Sequence, residues 1–259
     1  MSIRLAPIPF ADVLAEVAAH LEGLPGPIDS YHEEHLRDAV WHRIERDGER
    51  IGLGAIHNAG TITHFALEPV FRQHSQEAFA ALRRTEKVTE ALVSTADAPF
   101  LANALDNHRS ITLQAYAFAL APDRARPEVT GFTMRPATPA DREAIVADSG
   151  DFFGNYLHSL TEAEGVVQIY VVSRDGEPVA YGISERSGLY RGTASIGMFV
   201  REEVRNTGAG TATIGLLIEE MLRRGLSPVA GCWYYNHASK RTLERAGLHA
   251  ATRLLRIGY

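Results

Sequence analysis

Six consecutive residues, Arg205-Asn206-Thr207-Gly208-Ala209-Gly210, have the makeup of a loop that holds an anion. They stand between an apolar run suited to a strand, 193–200, and a segment of helical periodicity over 207–224. Two glycines and a small residue at a strand-to-helix turn let the backbone approach a ligand closely. The first N–H groups of a helix have no partners inside it, and with the helix dipole they favour negative charge, typically phosphate. Arg205 can add a charge-assisted contact. Two other phosphate loops do not fit. A P-loop needs Gly-Lys-Ser/Thr, which is absent. A dinucleotide fingerprint needs a third glycine at 213, where Thr213 stands. It also needs an acidic residue about 20 positions on, closing a second parallel strand. The run 228–233 ends without one. A glycine-rich helix start that binds nothing is the plainer alternative.

The elements that must position this loop occur twice. Arg-Asp-Gly-Glu stands at 46–49 and again at 174–177, each time between strand-like runs. Asp-Gly in that setting is a strong hairpin signal, since glycine accepts positive φ. Phe71-Arg72 and Val204-Arg205 follow the two hairpins. Each is succeeded by a helical segment, a short strand-like run (91–95 and 229–233) and another helix. In the second half the arms read as 168–173 and 178–184. Ile214, Leu217, Ile218, Met221 and Leu222 make one apolar stripe. Arg223, Arg224 and Gly225 end that helix, and Asn236 can cap a final one that Gly247 terminates. The connector 121–128, with two prolines and alternating charges, divides the copies. The reading is therefore two units, 1–122 and 129–259. The alternative is one mixed sheet of 259 residues with coincidental hairpins.

Composition narrows the partners. Apolar residues make up 45% and charged residues 22%, ordinary for a globular chain. A single cysteine, Cys232, excludes a disulfide framework and Cys-paired zinc. Within the buried run 228–233 it reads as a packed thiol. His32-Glu33-Glu34-His35 lacks the spacing of a zinc protease site, and its residues read as solvated helix positions, so no metal is expected. Residues 1–125 hold 11 Lys+Arg against 17 Asp+Glu, and 126–259 hold 15 of each, a poor footprint for nucleic acid. No run approaches the roughly 18 apolar residues of a membrane span. The start lacks a secretory pattern, so a cytoplasmic location is expected.

Val200 followed by Arg-x-x-Gly-x-Gly at 205–210 resembles motif A of the GCN5-related N-acetyltransferases (GNAT). Asn236-x-x-Ser239, with Leu243 and Gly247-Leu248 beyond, resembles that family's motif B, and 134–141 is similar to its usual opening. The resemblance spans about 130 residues, Phe132 to Tyr259. It implies tandem α/β domains (α+β in that the sheet is mixed and mainly antiparallel), with helices on both faces and splayed central parallel strands. It implies acetyl-CoA as donor: Met198, Phe199 and Val200 along the pantetheine, and the amides of Asn206, Thr207, Gly208, Ala209, Gly210 and Thr211 at the pyrophosphate beside Arg205. Asn236 and Ser239 would lie along the pantetheine or thioester, or serve only as a helix cap and a first-turn polar residue. The first half looks like a degenerate copy. At 72–77 both glycines are gone and Glu77 brings a carboxylate, and its motif B counterpart begins at Asp97. That half is expected not to bind CoA, and to shape the acceptor pocket or act as a pseudo-dimer partner.

The implied activity is N-acyl transfer, most simply acetyl, from acyl-CoA to a primary amine of a small molecule within a ternary complex. The family's usual acid, a tyrosine in the last helix, is replaced by Leu243. Tyr234 and Tyr235 are the substitute acids, and Glu185 is the candidate base because 193–200 holds no carboxylate, each with a bland reading as packing or surface residue. Phe152, Phe153 and Tyr156 either wall the acceptor site or belong to the core. Two other readings stand: a non-catalytic acyl-CoA-binding regulatory protein, and an acetyltransferase for a protein amine. The molecule would be a monomeric pseudo-dimer or a homodimer.

Overall fold

The computed structural model describes residues 3–85, 87–161 and 165–259, which fall into two compact units. The first comprises the chain up to Tyr116 together with Thr252–Tyr259, and the second is Ala117–Ala251. In chain order the first half runs β1 (Ile3–Ile8), α1 (Phe10–Glu22), α2 (Ser30–Arg37), β2 (Val40–Arg46), β3 (Glu49–His57) and β4 (Thr61–Leu67). It continues with a 3-10 turn (Pro69–His74), α3 (Ser75–Arg83), β5 (Glu90–Ser94), α4 (Ala98–Leu105) and β6 (Ser110–Leu120). The second half repeats the order: β7 (Phe132–Pro136), α5 (Arg142–Ser149), β8 (Val167–Arg174), β9 (Glu177–Arg186) and β10 (Thr193–Val200). Then come α6 (Ala209–Arg223), β11 (Ser227–Trp233), α7 (His237–Arg245) and β12 (Leu248–Gly258).

Both Arg-Asp-Gly-Glu segments are two-residue hairpins. Arg46 pairs with Glu49 and Arg174 with Glu177. Asp47 and Gly48 have φ of 51° and 87°, and Asp175 and Gly176 have 53° and 86°. Two successive positive φ values match the right-handed twist of the flanking strands, which fixes the register.

In the second unit β7, β8, β9 and β10 form an antiparallel run, and β10 then pairs in parallel with β11. Helices cover both faces. Ile169, Val171 and Tyr181 bury with Ile145 of α5 and with Phe153, Leu157 and Leu160. Val172 and Ala180 bury with Ala209 and Leu216 of α6 on the other. Strands buried on two faces read as continuous apolar runs rather than alternating ones. Of the expected stripe on α6, Ile214, Leu217, Ile218 and Met221 are buried, while Leu222 is 40% exposed. Eight residues at 100° each carry Leu222 roughly 80° around the helix from Ile214, off the buried face.

The first unit has the strand order β1-β2-β3-β4-β5-β12-β6, with β6 counted as far as Tyr116. The strand beside β5 is the end of the chain: Leu254↔Ser94 through Gly258↔Glu90 pair antiparallel. Leu255 and Ile257 join the core of this unit with Ile44, Phe65, Leu82 and Phe100. A division at the 121–128 connector thus differs from the division by compactness, because hydrogen bonding to β5 carries Thr252–Tyr259 into the first unit. On α2, His32 and Glu33 are buried rather than solvated, since they share the inward face with Leu36.

Candidate active site

The site begins where strand pairing stops. β10 and β11 pair at Thr193↔Ser227, Ala194↔Pro228 and Ser195↔Val229 only. Beyond Ser195 they part, while β10 stays paired with β9 as far as Val200↔Ala180. The opening is a cleft of about 640 Å³ lined by Ile196–Val200 of β10 and by Gly231, Cys232 and Trp233 of β11. The backbone groups of β10 that a neighbouring strand would take are left for a ligand.

At one end the cleft meets the start of α6. After a 3-10 turn (Glu202–Val204), Asn206 and Gly208 adopt left-handed φ of 66° and 93°. Gly208 caps the helix and offers no side-chain acceptor, so the first-turn amides are not consumed by a cap. The earliest bond back into the helix is Ala212 N to Gly208 O at 2.9 Å. A Cβ at Gly210 would meet Met198 Sδ at 3.2 Å and Val200 Cγ2 at 3.4 Å, so glycine keeps this end open. Arg205 donates from Nε to Val200 O at 3.3 Å, and its nearest carboxylate, Glu202, is 4.0 Å away, which leaves the guanidinium turned to an exposed edge.

The structure brings most of the residues expected to contact CoA to one cleft. Met198, Phe199, Val200, Arg205, Asn206, Gly210, Asn236 and Ser239 all line the cleft. Thr207, Gly208, Ala209 and Thr211 form the turn behind it: the Thr207 hydroxyl is bonded to Val204 O at 2.7 Å, and Ala209 is buried. Asn236 does what its cap reading required, its Oδ1 accepting from Ser239 N at 3.0 Å, and it faces the cleft as well. Tyr234, Tyr235 and Glu185 are not among the lining residues. The two tyrosines sit in the turn after β11, and Glu185 lies on β9 opposite Ser195. Sequence reasoning did not single out Trp233, Thr242 or Ile196, which do line it. The end of the apolar run 228–233 was the available signal for Trp233. Leu243 is buried against the cleft, so the position of the usual acid faces the site without a hydroxyl. Of the aromatic trio, Phe153 is core, Tyr156 packs beside it and Phe152 is a wall of the cleft.

Behind the site a polar triad ties α5 to β9 and to the loop after β10. The Tyr181 hydroxyl donates to Asp148 Oδ2 at 2.6 Å, and Arg201 Nε lies 3.5 Å from Asp148 Oδ1. Burial, then the bond to Asp148, raises the Tyr181 phenol far above its ordinary range, so it stays protonated. At the start of the unit Arg135 grips Asp141 with two bonds of 2.8 and 2.6 Å, which holds that carboxyl well below the usual carboxylate range.

The first unit differs at the corresponding place. β4 and β5 also pair in parallel only briefly, at Thr61↔Glu90 and Ile62↔Ala91. Beyond that point three rings pack together, Phe65 5.0 Å from Phe79 and 6.4 Å from Phe100. Helix α3 is entered through His74 with φ of −100°, without a left-handed glycine, and its first turn carries Glu77. Asp97 caps α4 as Asn236 caps α7, accepting from Phe100 N at 3.1 Å, and its other oxygen holds His20 Nε2 at 2.8 Å. A pocket of about 80 Å³ remains beside His20 and Arg72.

Comparisons with known proteins agree with this geometry. A profile described as an acetyltransferase (GNAT) domain matches residues 10–120, and one described as the acetyltransferase (GNAT) family matches 136–248. The chain belongs to the GNAT family, as two such domains in tandem. Its fold is similar to a GNAT-family acetyltransferase from Colwellia psychrerythraea, with a TM-score of 0.82 at 19% identity over 100% of both chains. It is also similar to a tandem GNAT protein from the clavulanic acid biosynthesis pathway (TM-score 0.64, 15% identity, 100% of this chain and 98% of that one). A third likeness is to a GCN5-related N-acetyltransferase from Sphaerobacter thermophilus (0.60, 18%, 98% and 95%). No curated protein matches the sequence. GNAT enzymes take acetyl-CoA as donor and amines as acceptors, so the general activity of this fold is N-acetyl transfer. Among the described residues no group of His, Cys, Asp and Glu is placed to hold a metal, and no helix is long and apolar enough to cross a membrane.

Proposed function

We propose that the second unit binds acetyl-CoA and passes its acetyl group directly to the primary amine of a small molecule in a ternary complex. The observation that carries this reading is the parting of β10 from β11 after Ser195, which opens a cleft ending at the start of α6, where no side chain takes up the first-turn amides. The residues fit the donor. The amides at 209–211 and the Arg205 guanidinium suit a pyrophosphate, and the free edge of Met198, Phe199 and Val200 suits the amides of a pantetheine arm. Asn236, held by its own cap bond, and Ser239 complete that wall.

Acetyl-CoA supplies an activated acyl group: the amine nitrogen bonds to the carbonyl carbon, the carbon–sulfur bond breaks and CoA departs as thiolate. The protein must hold the two reactants in line and stabilise the carbonyl oxygen, for which a backbone N–H near Val200 serves. Leu243 offers no proton to the thiolate, so Tyr234 or Tyr235 is the substitute acid, and a CoA thiolate is a tolerable leaving group without one. The amine sheds its proton toward Glu185 through water.

The second unit binds the donor alone, since Phe65, Phe79 and Phe100 occupy the corresponding space in the first. Calorimetry should return one acetyl-CoA per chain, and thiol release should require an added amine. Two equivalents, or none, would overturn the assignment. The apolar Leu243 also favours a second reading, an acyl-CoA-binding regulator. Donor binding without thiol release across a broad amine panel, or across basic proteins, would establish that instead.

A further inference from the structure

The cleft passes through the sheet, and its two sides differ in chemistry. On β10, Met198 and Val200 face Gly210 at the start of α6. Phe199 faces the other way: the site of a Gly197 Cβ lies 3.1 Å from Ile183 Cγ2, and the Phe199 ring lies 5.5 Å from that of Phe152. The α6 side holds the anion-binding loop, while the opposite side is aromatic. Phe152 is 52% exposed yet firmly seated, its ring 4.8 Å from Phe153, which is buried in the core. Trp233 lines the cleft on β11 and is 59% exposed. Exposed apolar rings that face one cleft mark a binding surface rather than packing.

Charge narrows the class of acceptor. Among the described residues lining the cleft Arg205 alone is charged, and it lies at the anion-binding end. No carboxylate among the described residues lines the cleft to receive a polycation. We infer that the acceptor is a primary amine on a flat apolar body, of the arylalkylamine type, seated against Phe152, Phe199 and Trp233. The inference rests on the acetyl-transfer reading above. It also answers how the amine becomes nucleophilic without a carboxylate in the lining. An apolar site disfavours the ammonium form, lowers the amine's pKa and so raises the fraction of free base.

The test uses 2-phenylethylamine and spermidine as acceptors for the full-length protein, read by thiol release at saturating acetyl-CoA. Donor binding is measured separately by calorimetry. The wild-type kcat/KM should favour 2-phenylethylamine by about tenfold or more, the scale of a lost apolar contact in a pocket. Phe152→Ala should raise KM for 2-phenylethylamine by about tenfold and leave that for spermidine unchanged, and Phe152→Tyr, which keeps the ring, should restore it. Equal or better use of spermidine overturns the inference. So does an equal loss for both amines in Phe152→Ala, or no turnover of 2-phenylethylamine while donor binding is intact. Absence of donor binding overturns the acetyl-transfer reading itself, and calorimetry distinguishes that failure from the others.

Discussion

Gly208 combines a backbone requirement with a chemical one. Its φ of 93° is strained for any L side chain, and it adjoins the amides that would hold phosphate. Gly208→Glu adds strain of about 1–2 kcal/mol together with a like charge. It should abolish acetyl-CoA binding by calorimetry while the circular dichroism spectrum stays native. Gly208→Ala, which carries the strain without the charge, should retain measurable affinity. Unchanged affinity in Gly208→Glu would remove the loop from the site. Residues of this kind are legible in a sequence because their constraint is local: a left-handed turn needs glycine, and a cap needs an acceptor, as Asn236 shows. Phe152 and Phe153 are the contrary case. Adjacent rings of one residue type have opposite fates, wall and core, and only the packing of Phe153 with Ile145 and Tyr181 separates them.

Elements show the same division. The two Asp-Gly hairpins follow from local backbone preference and were expected where they occur. The burial of His64 on β4 follows from its surroundings: His20 edge-on at 4.9 Å and Trp41 at 5.0 Å. Burial, then the positive charge of His20, pushes His64 down to about 3, and burial brings His32 on α2 down to about 4. Both values lie below the roughly 6.5 of an unfolded histidine, so the unfolded chain binds protons first as pH falls. Stability from these neutral rings is complete above about pH 6.5 and declines from there toward their folded values, by up to roughly 1.4 kcal/mol per pH unit for each. Asp97, raised by burial but lowered more by its bond to and the charge of His20, adds a loss only at lower pH. Urea titrations between pH 7 and 4.5 should show this decline. His64→Phe, which keeps a ring against Trp41, should flatten the slope by about one proton. An unchanged slope would mean that His64 is protonated in the folded protein.

At the scale of the whole chain, the first unit depends on residues more than 130 positions away in sequence. Leu254, Leu255 and Ile257 are buried, and each buried side chain of this size contributes about 1.5–3 kcal/mol. Together they match much of a domain's total stability of about 5–15 kcal/mol. A fragment of residues 1–122 should therefore fail to give a cooperative thermal transition, and the chain cut after Ala251 should lose protection from hydrogen exchange across β5. Native-like unfolding of the 1–122 fragment would show the C-terminal strand to be dispensable. The tandem order, the hairpins, the left-handed glycine turn before α6 and the helix caps are legible in the amino-acid sequence alone, because each rests on backbone conformation and spacing within a few residues. Three matters were decided only by tertiary structure: the strand that completes β5, the filling of the first unit's gap by phenylalanines, and the ring that faces the cleft. Each depends on contacts between segments far apart in the chain, where the same apolar residue can serve as core, wall or strand partner.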